Sequence, residues 1–337
     1  MIVLVSYLLF LKGAEILQAD EAVSLSGDAL IVVGAGGTAE YLEDFQRSAE
    51  RWRLAFPKTA KTTLVGMPPK PLDAAATDDP VTDRQRILDW IAKEPESPAL
   101  ERWLILIGHG TYQLNIAKFN LEGPDLSSED LAKAIASSQS RWRIFVCSSC
   151  SGPFINALSG PNRIVVTATK SGSEQNYSRF GDYFSQSIGI STSDLDHDGS
   201  VSILEAFLVA SKNLANWYTE EGRLASEQAL IDDNGDKRGT PAHFFRGVRA
   251  AKAPSDGLKI DGRLANRVFV DNPLDASSLT AQQQARVAEL ETQIDEHRDQ
   301  KTKIDEATYY AQLEQLLVEL AEELVAEDSA SKSKTTP

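Results

Sequence analysis

The chain has 337 residues, 42% of them hydrophobic and 25% charged, and a formal net charge of −15. That length holds one large domain or two ordinary ones, and an acidic balance without Lys/Arg clusters argues against a nucleic-acid backbone as partner. Two cysteines cannot build a disulfide scaffold, and with four histidines they argue against a structural zinc site.

Residues 2–11 form an apolar run of signal-peptide length, and Ala19 could end a cleavage site at residue 19. No Lys or Arg precedes the run and Leu17 is large for its position, so a buried first strand is the competing reading. A signal peptide over 1–19 implies a periplasmic or secreted protein, a strand a cytoplasmic one. The run is too short for a membrane span, so none is expected in the mature chain.

From residue 28, short apolar runs alternate with amphipathic stretches. "ALIVVGAGG" (29–37) predicts a buried strand ending in a glycine turn, followed by a helix through "TAEYLEDFQRSAERWRLAF". Gly34, Gly36 and Ala39 resemble a dinucleotide fingerprint, but the next strand, "KTTLVGM", ends without the acidic residue that would hold a ribose, so a tight turn is the reading. "VTDRQRILDWIAKE" predicts a helix, "ERWLILIGHG" (101–110) the clearest strand, and "SSEDLAKAIAS" a helix capped by Ser127 or Ser128. "RWRIFVCSS" (141–149) and "NRIVVTATKSG" (162–172) predict two further strands. Strands that are apolar throughout and separated by helices imply a mainly parallel sheet covered on both faces, with ligands at the carboxyl ends of the strands. His109, Cys147 and Cys150 all fall at that edge.

Beyond residue 190 the chain turns acidic, then helical. Between 274 and 328, Tyr310, Leu313, Leu317, Leu320 and Leu324 follow the spacing of a coiled-coil or helical-hairpin seam, able to pack on its own domain or on a partner helix. Residues 329–337 predict a solvated tail.

The most specific chemical pattern is "DLDHDGSVSILE" (194–205). A calcium loop of the EF-hand type needs oxygen ligands at positions 1, 3 and 5, glycine at 6, a backbone carbonyl at 7, an apolar residue at 8 and a Glu at 12. Asp194, Asp196, Asp198, Gly199, Ser200, Val201 and Glu205 meet each requirement, so Ca²⁺ is the expected cofactor. In "DDNGDKRG" (232–239), Asp232, Asn234 and Asp236 alternate similarly, but Lys237 stands at the glycine position and His243 at the Glu position, which reads as an acidic turn, with a second cation site as the alternative. His109, between two glycines, could raise the thiolate fraction of a neighbouring thiol and later protonate a leaving amine.

The strand ending in His-Gly ("LILIGHG", 104–110), the strand ending near a Cys and Ser-Gly ("IFVCSSCSG", 144–152) and the following "RIVVTATKSGSEQN" resemble the caspase–legumain superfamily of cysteine peptidases over about residues 28–190. The resemblance implies a caspase-like three-layer α/β sandwich spanning 28–250, a protein or peptide substrate, His109 as general base and acid, and the Gly110 N–H as an oxyanion donor. The family spaces its nucleophile as Cys-x-Ser-Gly; here that slot holds Ser149, one residue before Cys150. The candidate catalytic set is therefore His109, Cys150, Gly110 and Ser149. The alternatives are a catalytically degenerate calcium-binding interaction module and a Cys-x-x-Cys redox protein, in which Cys147 and Cys150 could also be joined as a disulfide.

Overall fold

The computed structural model describes residues 27–67, 81–93, 101–251, 261–271, 280–298, 300–301 and 303–332. The candidate signal peptide lies outside them. In chain order the α/β part runs β1 (Asp28–Val33), α1 (Ala39–Ala55), β2 (Thr62–Val65), α2 (Asp83–Ala92), β3 (Glu101–Ile107), β4 (Gly110–Gln113), β5 (Ile116–Phe119), β6 (Leu126–Ser127) and α3 (Ser128–Ile135). It continues with β7 (Arg141–Cys147), α4 (Pro153–Leu158), β8 (Ile164–Thr167), α5 (Phe180–Ser187), α6 (Ile203–Glu220), β9 (Leu230–Asp232), β10 (Thr240–Pro241), β11 (Phe245–Arg246) and β12 (Arg249–Ala250).

The main sheet has seven strands in the order β10-β9-β8-β7-β3-β1-β2. β2, β1, β3, β7 and β8 are parallel and β9 runs against them, so the sheet is mainly parallel, as expected. Its strands are apolar on both faces because both are covered. Ile31, Ile105, Phe145 and Val166 pack under α1, α5 and α6 with Phe45, Trp52, Phe184 and Phe207. Leu30, Leu104, Ile144 and Val165 face α2, α3 and α4 through Ile87, Leu131 and Phe154. Thr38 and Thr82 cap α1 and α2, and Ser127, one of the two expected caps, forms a capping box with Asp130 on α3.

Three features depart from the sequence reading. A small sheet, β4-β5-β6, follows His109 directly. The α/β body does not end at 250, because Ala265, Val268 and Val270 join its core and Phe269 bridges to Ser202. Finally, α7 (Ala281–Arg298) and α8 (Glu306–Lys332) form a helical pair whose buried residues include Leu290, Ile294 and Tyr309. Tyr310, Leu317 and Leu324 of the expected seam are exposed, while Leu313 and Leu320 are half-buried beside Leu316; the packed stripe is thus rotated by about one residue. α8 also runs to Lys332, through the start of the expected tail. Among the described residues no helix is long and apolar enough to cross a membrane.

Candidate functional site

The parallel strands bring four loops to one edge: Gly34–Gly37 after β1, His109 after β3, Ser148–Gly152 after β7 and Ala168–Gly172 after β8. The glycines around His109 do not uncover it. A Cβ at Gly108 would stand 3.0 Å from the Phe119 ring, and one at Gly110 would stand 2.2 Å from the Ser149 carbonyl oxygen. They admit close neighbours, and His109 is half-buried between them.

Three aromatic rings fix its imidazole: Tyr41 and Phe45 edge-on at 5.0 and 5.1 Å, and Tyr177 at 6.0 Å. Its Nε2 lies 3.2 Å from the Gly36 carbonyl oxygen. A carbonyl can only accept, so Nε2 carries the hydrogen and Nδ1 keeps a lone pair, the form of a general base. Burial lowers the pKa of the ring, against the opposing pull of the Gly36 contact. Tyr41, Phe45 and Tyr177 were not singled out in the sequence, and Gly36 only as part of a tight turn. The glycine turn after β1 was visible there, but its role as the histidine's partner depends on β1 lying beside β3.

The three candidates on the β7 loop point to different places. The Ser149 hydroxyl meets Gly110, accepting from its N–H at 3.4 Å and donating to its carbonyl at 3.4 Å. Cys150 is 1% exposed and left-handed (φ +56°), and its N–H donates to the Glu174 carbonyl at 2.9 Å. Burial and the Glu174 charge push its thiol up, the reverse of what a nucleophilic thiolate needs. Cys147 belongs to the core, against Gly181, and burial pushes it up to about 12. Both thiols are free, which leaves no disulfide. Among the described residues no hydrogen bond joins the His109 ring to Ser149 or to either thiol.

Ser151 and Gly152 lock the loop: the Ser151 hydroxyl and Thr169 exchange bonds at 3.1 Å, and the Gly152 N–H donates to Thr169 Oγ1 at 3.1 Å. A Cβ at Gly152 would meet the Lys170 carbonyl carbon at 2.3 Å, so only glycine allows this approach. Beside Glu174 opens a cavity of about 360 Å³, with Lys170, Tyr218, Glu227, Gln228 and His243 in its wall.

At the acidic loop, Asp194, Asp196 and Asp198 each present an oxygen within 4.8 Å of the others, an arrangement that could hold a metal ion. Asp194 Oδ2 accepts the Gly199 N–H at 3.1 Å, and its Oδ1 is buried without a partner. Glu205 is 1% exposed and closes the loop: Oε1 accepts from the N–H of Leu195 (2.6 Å) and Asp196 (3.2 Å), and Oε2 from the Ser202 N–H (2.8 Å) and hydroxyl (2.9 Å). It is also the third residue of a capping box that starts α6. Ser200 N–H donates to Asp198 Oδ1 at 2.8 Å. Burial, then the charges of Glu205, Asp198 and Asp194, raise the pKa of Asp196.

No protein-family model matches the chain, and no curated protein shows significant sequence similarity to it.

Proposed function

We propose that the chain is a caspase/legumain-like hydrolase of peptide bonds that carries a structural calcium ion, with His109 as its base and Ser149 in the position of the nucleophile. The observation that carries this reading is the pairing of two adjacent strand ends: β3 delivers an imidazole whose Nε2 is held by the Gly36 carbonyl, and β7 delivers a hydroxyl against the Gly110 amide. A base oriented by a third group beside a nucleophile is the arrangement acyl transfer requires. In the reaction, Nδ1 of His109 takes the Ser149 proton as Oγ attacks the carbonyl, the Gly110 N–H meets the developing oxyanion, and the imidazolium protonates the leaving amine. Catalytic contacts that are long without substrate commonly tighten when it binds. The cavity beside Glu174 would take a substrate side chain, and Asp194, Asp196, Asp198, the Ser200 carbonyl and Glu205 would hold Ca²⁺.

A second reading, a binding module that captures peptide segments without cutting them, is favoured by the burial of both thiols and by the absence of a His109–Ser149 bond among the described residues. Incubating the protein with a peptide library and reading cleavage by mass spectrometry separates the two. Cleavage should fall at least about 100-fold in His109→Ala and Ser149→Ala and persist in Cys150→Ser. Loss in Cys150→Ser alone would move the nucleophile to the thiol, and a wild type that binds but never cleaves would leave the binding module.

A further inference from the structure

The acidic turn after β9 shares several hydrogen bonds with the first loop, although its position-1 carboxylate accepts from the amide at position 4 where Asp194 accepts from that at position 6. With Asp232 as position 1, its left-handed residues are Gly235 (φ +80°) and Lys237 (φ +68°), at positions 4 and 6; the first loop has His197 (φ +61°) and Gly199 (φ +94°) there. At position 5, Asp236 accepts the Arg238 N–H at 2.8 Å as Asp198 accepts that of Ser200 at 2.8 Å. His243, which spacing puts at position 12, instead approaches Gln228 at 3.4 Å and packs on Phe244. Asp261, from a distant segment, fills that place. Glu205 accepts from the amides at positions 2 and 3 with one oxygen and from Ser202, position 9, with the other. Asp261 Oδ1 accepts from the amides of Asp233 (3.0 Å) and Asn234 (3.3 Å), positions 2 and 3, and its Oδ2 from the hydroxyl of Thr240 (2.5 Å), position 9.

Loop shape alone does not point to an ion, but a buried carboxyl oxygen without a partner does. Asp232 is 1% exposed; its Oδ1 takes the Gly235 N–H at 3.1 Å, and Oδ2 is buried with no hydrogen-bond partner. The Ser159 hydroxyl lies beside this carboxyl and favours its charged form, and accepts from Lys237 N–H at 3.1 Å. Asp194 shows the same division, one oxygen on a loop amide and one buried orphan. Asp233 and Asp261 are buried too. Buried carboxylates in proteins are paired or coordinate a metal.

We infer that residues 232–240 and Asp261 form a second calcium site, split between two chain segments, with Asp232, Asn234, Asp236 and the Arg238 carbonyl on the loop and Asp261 as the closing carboxylate. The inference rests on reading the first loop as a calcium site. All donors are hard oxygens, which suits Ca²⁺. Three carboxylates against four make this the weaker of the two sites. Because β9 runs against the parallel strands, with Asp232 paired to Val165 near the start of β8, the loop lies at the edge opposite His109, and its ion holds structure in place. Asp233 accepts the N–H groups of Gly262 and Ala265, each at 2.8 Å, while the first loop holds the other end of that segment through Ile203 N–H to the Val268 carbonyl at 2.9 Å. The two ions fasten residues 261–269 at both ends.

Calorimetric titration of Ca²⁺ into the chelator-stripped full chain tests this in wild type, Asp232→Asn, Asp236→Asn and Glu205→Gln. Two equivalents are expected in wild type, the tighter lost in Glu205→Gln and the weaker in either Asp variant. Asp236 is the more exposed of the two, and circular dichroism in chelator confirms that its variant is folded if Asp232→Asn is not. A single equivalent abolished by Glu205→Gln would overturn the second site and leave the first. A single equivalent abolished by Asp236→Asn and spared by Glu205→Gln would overturn the first reading and keep the second. No bound calcium would remove both.

Discussion

At Cys150 burial and the charge of Glu174 both act against the thiolate. The backbone at this residue is left-handed, and its neighbour Ser149 meets the Gly110 amide. Cys150 should therefore react with iodoacetamide more slowly than a free thiol at neutral pH, and His109→Ala should leave that rate unchanged. Labelling at or above the free-thiol rate would restore Cys150 as nucleophile. His109 makes the matching prediction by NMR. Burial holds its folded-state pKa below the ordinary imidazole value of about 6.5. The unfolded chain then binds the proton more readily, so this residue's contribution is intact above that value and is lost as pH falls through it. His109 should titrate at lower pH than an exposed histidine; a midpoint at or above the ordinary value would remove the buried neutral base.

The same distinction between local and long-range causes decides which elements could be read from the sequence. β1, β3, β7 and β8 were legible because burial on both faces leaves long apolar runs, and the first acidic loop because all the side chains of its proposed cation site lie within twelve residues. The β4–β5 hairpin was not. Its two-residue turn puts Leu114 (φ +51°) and Asn115 (φ +64°) in the left-handed region, where Asn-Gly would have been the recognisable signal. Asp261 was invisible for another reason: its role depends on a segment returning over the core. Glu205 shows how closely element and loop are joined, since one carboxylate caps α6 and closes the loop. Glu205→Ala should lower the melting temperature even in chelator, because it removes the N3 half of the capping box and the acceptor of the Leu195 and Asp196 N–H groups. Asp196→Asn should raise it in chelator, because it removes repulsion from Asp194, Asp198 and Glu205, and should reduce the gain on adding Ca²⁺. Equal melting of both variants and wild type without calcium would contradict this division of roles.

Across the whole molecule, the α/β body is completed by residues that sequence spacing assigned to no element. Ala265, Val268 and Val270 close the core over α6, and Asp233 and Asp261 bind this segment to the loop after β9 by reciprocal hydrogen bonds. Each buried valine contributes about 1.5–3 kcal/mol, a large fraction of the 5–15 kcal/mol typical of a domain. The segment is therefore part of the cooperative unit, whereas α7 and α8 pack chiefly on each other. A chain ending at residue 271 should keep a single thermal transition for the α/β body near that of the full chain. One ending at 260 should melt well below it in chelator, and calcium should restore less of the loss because Asp261 is gone. Similar melting of the two truncated chains, followed by circular dichroism with and without calcium, would place residues 261–271 outside the folding unit and would leave the second cation site without its closing ligand.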